Sequence, residues 1–244
     1  NRNLLYHGCI PLNEDGTFKE IQVYDKVYKG KELYDVLETY VRKAFVAVDE
    51  REKEKGKDIL WFIWSSPSSP LFGKDKMATF ERYFLAEEET HKENKNAYYK
   101  FLEDEAVADR ILQEFHVTGE CTHIVNGHVP VHHGAGESPI KCGGKLLIID
   151  GGFSRAYQKE TGIAGYTLIY NSWGMILAAH EPFTSAADAI SKESDILSDS
   201  ILVKRTVKRK TVGETDIGMK LKERIAELEE LLAAYRDGLL IEKS

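Results

Sequence analysis

The chain has 244 residues, of which 42% are hydrophobic and 30% charged, enough to bury one substantial core in a single large domain. With 33 basic against 40 acidic residues its net charge is −7, which excludes general nucleic-acid binding through the whole surface. No run of 18 apolar residues and no signal peptide occurs, so neither a membrane span nor export is expected, and the cytoplasm is the default compartment. Cys9, Cys121 and Cys142 are odd in number and form no CxxC pair, so they read as free thiols. The first residue is Asn1, and an apolar stretch, NLLYHGCIPL, follows at once; this start reads as that of a fragment, the C-terminal part of something longer.

In chain order, NLLYHGCIP predicts a short buried strand ending in a His-Gly turn, and NEDGTF is turn chemistry. KELYDVLETYVRKAFVAVDEREKEKGK places Leu33, Leu37, Tyr40, Val41, Ala44, Phe45 and Val48 at helical spacing, with Gly56 as its terminator. DILWFIW, 58–64, is too apolar and aromatic for a surface strand and predicts a buried one, completing an α/β step. SSPSSPLFGKDK, 65–76, carries two prolines and a glycine and predicts a loop leaving that strand's C-terminal end, where open α/β sheets place chemistry. EDEAVADRILQEF predicts a helix with Ala106, Ile111, Leu112 and Phe115 inward, followed by the strand HIVN. KLLIID is a further strand. YTLIYNS and GMILAAHEPF form a hairpin through Ser172, Trp173 and Gly174.

After about Ser185 the pattern weakens, which divides the chain into 1–184 and a C-terminal extension, 185–244. The extension holds a basic patch, VKRTVKRK at 203–210, that reads as a solvated strand or linker face, with an anion or effector site as the alternative. A helix follows in which Ile217, Leu221, Ile225, Leu228, Leu232, Tyr235 and Leu239 form a narrow apolar seam. Its partner, whether the same domain or another subunit in a homo-oligomer, is not encoded in three heptads.

His91, His116, His132 and His133 have no special setting and read as surface or hydrogen-bonded structural residues. His7 in YHG and His128 in NGHVP differ, because each follows a predicted strand and lies beside glycine; two imidazoles on neighbouring strand ends could bind one metal ion. A catalytic metal needs three or more protein ligands, and no HxH, HExxH or DxD motif occurs here, so any further ligands lie elsewhere.

LLYHGCIPLNEDGTF, SPLFGKDKMATFERYF, NGHVPV, GESPIK and KLLIIDGGFSRAYQKETGIAGYTLIYNSWG resemble the C-terminal half of the class III fructose-1,6-bisphosphatases, a manganese-dependent bacterial group similar to the calcineurin-like metallophosphatases. The resemblance implies an α/β (α+β) fold, part of a metallophosphatase β-sandwich flanked by helices. It implies metal-assisted hydrolysis of fructose 1,6-bisphosphate, a gluconeogenic reaction, at a site of two divalent ions. Family ligands come from GDxH, GDxxDRG and GNH(D/E) segments, then a histidine in an HG turn and a last one in a GH motif. Only the final two are present, so His7 and His128 would serve one metal ion, with the catalytic residues upstream in the N-terminal half as the partner that completes the site. His123, inside its strand, reads as structural. The second phosphate of a sugar bisphosphate calls for cations, and the candidates are Lys74, Lys76, Arg82, Arg155 and Lys159. The alternatives are a metallophosphatase for phosphoprotein or dinucleoside polyphosphate, and a non-catalytic half whose seam helix mediates assembly.

Overall fold

Short apolar runs distant in sequence pair to make the central sheet of the protein, for which a computed structural model describes residues 3–119, 121–152, 154, 158–163, 165–181, 185–191, 198–205 and 209–240. Strand β1 (Asn3–Leu5) leads through a turn to a small antiparallel hairpin, β2 (Ile21–Val23) and β3 (Lys26–Tyr28). Strands β4 (His123–Asn126), β5 (Ile140–Lys141) and β6 (Leu146–Ile148) complete the central sheet in the order β1-β4-β6-β5. β1, β4 and β6 run parallel, with Asn3 opposite His123 and Ile124 opposite Leu146, and β5 is antiparallel at the edge. Every residue of β4 is buried, as expected of a parallel strand covered on both faces.

What covers those faces follows from the alternation of side chains along a strand. Ile124, Leu146 and Ile148 join a cluster with Val107, Ala108, Ile111 and Leu112. Val125 and Leu147 join Met175, with Leu168 and Val203 packed beside them. These last residues come from a second sheet of three antiparallel strands, β7 (Gly165–Asn171), β8 (Gly174–His180) and β9 (Ser198–Arg205). The Ser172–Trp173 turn between β7 and β8 is the expected hairpin, closed by Trp173 N–H donating to Asn171 Oδ1 at 2.8 Å. The result is a mixed α/β fold in which two sheets pack face to face, and β9 brings part of the region after Ser185 into the second sheet.

The helices are α1 (Gly30–Val46), α2 (Glu50–Ser65), α3 (Thr79–Phe84), α4 (Glu105–Glu114), α5 (Gln158–Thr161), α6 (Ala186–Ser191) and α7 (Asp216–Arg236). α4 starts where Asp104 Oδ1 accepts from the N–H groups of Ala106 and Val107, and it turns Val107 and Ala108 inward while Ala106 is exposed, contrary to the sequence expectation.

A larger correction concerns 58–64, which is not a strand. It is the second half of α2, whose N-cap is Asp49, accepting from Arg51 N–H at 2.9 Å. Glu–Lys pairs spaced three apart, Lys53–Glu50 and Lys55–Glu52, line its first turns. The run DILWFIW then proves amphipathic at helical period, with Ile59, Phe62 and Ile63 packed on Leu33 and Leu37 of α1 while Leu60, Trp61 and Trp64 face outward. Gly56 does not end a helix. It lies inside α2 at the crossing with α1, where a Cβ would sit 2.0 Å from Ala44 Cβ, so glycine is what lets the two helices approach. The Pro-rich loop therefore leaves a helix, not a strand.

Candidate metal centre

The geometry of the centre begins with the β1–β4 ladder. Beyond Leu5 opposite Val125, the pairing continues as Tyr6 N–H donates to Val125 O at 3.2 Å and Gly127 N–H donates to His7 O at 3.1 Å. Two parallel strands thus end side by side, and two residues past each end lie His7, after Tyr6, and His128, after Gly127. Their rings meet edge to face with centroids 4.9 Å apart, and His7 Nε2 lies 3.0 Å from His128 Nδ1. Asn126 ties the same two turns together, its Nδ2 donating to Gly8 O at 3.2 Å and to Tyr98 Oη at 3.0 Å; Tyr98 Oη in turn lies 2.8 Å from Tyr6 Oη.

The other side of His128 is fixed by backbone. Its Nε2–H donates to Phe72 O at 2.8 Å, and a carbonyl only accepts, so Nε2 must carry the proton. In the neutral ring Nδ1 is then a lone pair aimed at His7. Burial, opposed by the Phe72 carbonyl and by Asp150 and reinforced by His7 and Lys74, holds the His128 pKa below its ordinary value and so favours that neutral ring. His128 also adopts φ +68°, a left-handed conformation uncommon for a side-chain-bearing residue and concentrated at functional sites.

Phe72 is presented by the Pro-rich loop. Buried Ser69 donates through Oγ to Ile63 O and accepts there from the N–H groups of Leu71 and Phe72, which folds 69–72 into a tight turn. Gly8 packs directly against this turn, because a Cβ on it would lie 2.5 Å from Pro70 O and 2.8 Å from Leu71 O. Cys9 N–H donates to Pro70 O at 2.9 Å on the same seam.

Two ring nitrogens 3.0 Å apart match adjacent ligands each about 2.1 Å from one ion, and a second-sphere carbonyl on the far nitrogen is the usual way a ligating histidine is oriented. The residues present therefore fit part of a cation shell. Among the described residues, no group of three or more His, Cys, Asp or Glu side chains comes together to complete one.

The candidate cations divide into three groups. Lys74 Nζ donates to Glu93 Oε2 at 2.8 Å and Arg82 lies 3.6 Å from Glu93 Oε1, so these two share one carboxylate, while Lys76 Nζ donates to the Thr90 carbonyl at 2.7 Å in the same 73–95 segment. Burial acts against Glu93's charge, but Lys74, the Ala78 N–H and Arg82 together hold its carboxyl below the usual range. Lys159 is exposed on α5, whose neighbourhood is the 133–135 turn. Arg155 lies outside the described residues. His123 is buried and lies 3.2 Å from Asn3 Oδ1 through Nδ1, and His133 Nδ1 is 3.3 Å from Tyr166 Oη, both away from the pair.

Sequence reasoning passed over Asp150, whose carboxylate lies 3.9 Å from where Gly127 would carry a Cβ. An acidic residue at the end of strand β6 followed by Gly-Gly was a legible signal for it. Glu93 and the Phe72 carbonyl were also missed.

Among known proteins, residues 1–237 match the family model described as Firmicute fructose-1,6-bisphosphatase. The chain is 56% identical over 243 residues to the fructose-1,6-bisphosphatase class 3 of Clostridioides difficile (strain 630), covering 99% of this chain and 37% of that protein. It is 54% identical over 244 residues to the protein of that name in Clostridium novyi (strain NT), covering 100% and 37%, and 53% identical over 243 residues to one from Listeria monocytogenes serotype 4b (strain F2365), covering 99% and 37%. The chain thus spans a little over a third of the length of these relatives. No solved structure matches it. A match over nearly the whole chain, at more than half identity to several relatives, places this chain in the Firmicute fructose-1,6-bisphosphatase family.

Proposed function

We propose that this chain is the C-terminal part of a cytoplasmic metallophosphatase of the calcineurin-like superfamily that hydrolyses fructose 1,6-bisphosphate to fructose 6-phosphate and phosphate, and that His7 and His128 are two of its ligands for divalent metal, manganese being the ion expected. The observation that carries the reading is the convergence of His7 Nε2 and His128 Nδ1 at 3.0 Å with the His128 tautomer set by Phe72 O. Bound divalent ions supply Lewis acidity toward the phosphoryl oxygens and lower the pKa of water. The remaining ligands come from the part of the protein outside this chain.

The chain's own residues position and select. Asn126 and the Ser69 turn hold the two imidazoles at fixed separation, so neither ring must be ordered when metal arrives. The cations Lys74, Lys76, Arg82, Arg155 and Lys159 are the set from which the distal phosphate is held. Lys74 and Arg82 share the single charge of Glu93, which leaves a net positive charge on the cluster, and a phosphate takes Lys74 by competing with that carboxylate.

The test uses the complete protein. His7→Ala and His128→Ala should each lose manganese affinity, measured by electron paramagnetic resonance of free Mn²⁺, by about 10–100-fold or more, with turnover falling in parallel, while His132→Ala changes neither. Equal manganese affinity in the His128 and His132 variants would refute the ligand assignment.

A further inference from the structure

Two segments that build the histidine pair continue past it and wall a cleft. From His7 the chain runs through buried Cys9, Ile10 and Leu12 to Asn13 and Lys19; from Phe72, whose carbonyl orients His128, it runs through Gly73 to Lys74. Asn96 ties the two walls together, its Oδ1 accepting from Leu12 N–H at 3.2 Å and its own N–H donating to Gly73 O at 2.9 Å. Between them the cleft is open and holds about 290 Å³, enough for part of a small ligand, and Lys19, Lys74 and Lys95 all line it.

The lysines are set against one another. Lys74 and Lys95 are partners in an isolated antiparallel bridge, flanked by Asp75 N–H donating to Asn94 O and Asn96 N–H donating to Gly73 O, both at 2.9 Å. That makes Lys74 and Lys95 the closer, non-hydrogen-bonded kind of pair, with both side chains on one face. Like charges placed directly opposite destabilise a bridge unless something negative lies between them. Glu93 relieves Lys74 only in part, because Arg82 shares its carboxylate. Lys95 Nζ has the Tyr99 ring, 5.8 Å to the centroid, and among the described residues neither it nor half-exposed Lys19 pairs with a carboxylate. The two carboxylates that line the cleft are engaged elsewhere. Glu14 pairs with Lys100, and Asp75 accepts from Asn94 N–H at 2.8 Å and Asn94 Nδ2 at 2.6 Å. The cleft therefore offers an anion three ammonium groups, two of them without a counter-charge. A phosphate monoester, with a charge of about −1.5 to −2 and three acceptor oxygens, matches that set.

We infer that Lys19 and Lys95 join Lys74 in holding the non-reacting phosphate of the sugar bisphosphate, in the cleft beside the histidine pair. This assignment rests on the reading of the pair as part of a phosphatase centre, and adds to it the place of the second phosphate and two side chains that grip it. Lys74 is the link, two residues from the carbonyl that orients His128, so a sugar with a phosphate at each end has one end at the metal pair and the other at the lysines.

The experiment uses the complete protein with manganese. Lys19→Met and Lys95→Met keep the aliphatic stems and remove the charges. Each should raise KM for fructose 1,6-bisphosphate about tenfold with kcat within about twofold, and weaken calorimetric binding of fructose 6-phosphate, which keeps the same phosphate, by a similar factor. Hydrolysis of a small aryl phosphate should not change, which also shows that the variants fold, and Lys95→Arg should stay close to the parent. An unchanged KM for the bisphosphate in both variants would overturn the inference. So would equal slowing of the aryl phosphate, since the charges would then act on the centre itself. Altered inhibition by inorganic phosphate at unchanged fructose 6-phosphate affinity would make the cleft a site for free phosphate and overturn it too. A parent protein that turns over no fructose 1,6-bisphosphate would instead be a failure of the phosphatase reading, and the assignment would fall with it.

Discussion

Gly8→Ala is the substitution by which the structure most directly tests how the centre is built. The added methyl would lie 2.5 Å from Pro70 O and 2.8 Å from Leu71 O, both backbone atoms with no rotamer to swing aside. Reaching ordinary contact requires about 0.9 Å of movement, taken either by the His7 turn or by the 70–72 loop. Both alternatives damage the same pair, because the loop carries the Phe72 carbonyl that orients His128 and the turn carries His7. Overpacking of this kind costs about 1–3 kcal/mol of stability, and displacing a ligand by about 1 Å costs on the order of 100-fold in function. The assay is manganese affinity and turnover of the complete protein, with Gly136→Ala as control. Gly136 has φ +80° with nothing within 4 Å of its Cβ position, so its substitution carries a backbone penalty of about 1 kcal/mol without touching the centre. Gly8→Ala should lower manganese affinity about 10–100-fold and Gly136→Ala should not. Equal affinities in the two variants would refute the packing argument.

Among the cations, Lys74→Ala should raise KM for fructose 1,6-bisphosphate while sparing a small aryl phosphate, because a monophosphate gives a distal-phosphate cation nothing to hold; equal slowing of both substrates would remove Lys74 from that role. For the thiols, Cys121 should alkylate first, while buried Cys9 and Cys142, pushed up by burial to about 12 and about 11, should resist labelling until the fold opens. The unfolded chain sheds those two protons from about pH 9 and the folded chain retains them. Stability should therefore be unaffected by these groups below that pH and fall as pH rises through 9–11, with a shallower fall in Cys9→Ala melts. The 244-residue chain alone should release no phosphate with manganese and should tend to aggregate, with Phe45 90% and Val48 92% exposed; turnover of fructose 1,6-bisphosphate by the purified chain would contradict the shared-site reading.

What could be read from sequence was whatever a local pattern encodes. HIVN, KLLIID and the YTLIYNS/GMILAAHEPF hairpin were legible because apolar runs were bounded by turn residues. His7 and His128 stood out because glycine follows one and precedes the other at a strand end. DILWFIW was misread because a six-residue apolar run has no decisive period, and its helical character comes from the capped, charge-paired segment before it. Gly56 looked like a terminator because a helix stop and a close helix crossing ask for the same residue, and only the position of Ala44 separates them. The hairpin at 21–28 turns at Tyr24 with φ +52°, which no Gly or Asn announces. Glu93 escaped notice because its charge is settled by Lys74, 19 residues away, and the Phe72 carbonyl escaped because a backbone acceptor has no side-chain signature.

The centre depends on the register of one parallel pair. His7 is two residues past Leu5 and His128 three past Val125, and those two residues are opposite each other in the ladder. Slipping β1 by one residue against β4 would carry His7 about 3.3 Å along the strand and turn its side chain to the other face, ending the 3.0 Å approach. Asn3 beside His123 at one end of the pair, and Asn126 bridging Gly8 and Tyr98 at the other, bind side chains across that register and select it. These contacts lie away from the imidazoles themselves, so Asn126→Ala should lower the complete protein's manganese affinity by loosening the ladder that sets the spacing of His7 and His128, with neither histidine replaced; unchanged affinity would refute this. Two residues 121 positions apart are thereby held as neighbours by backbone pairing. β1, an edge strand of the described sheet, still has a free side on which further strands of a longer protein can build.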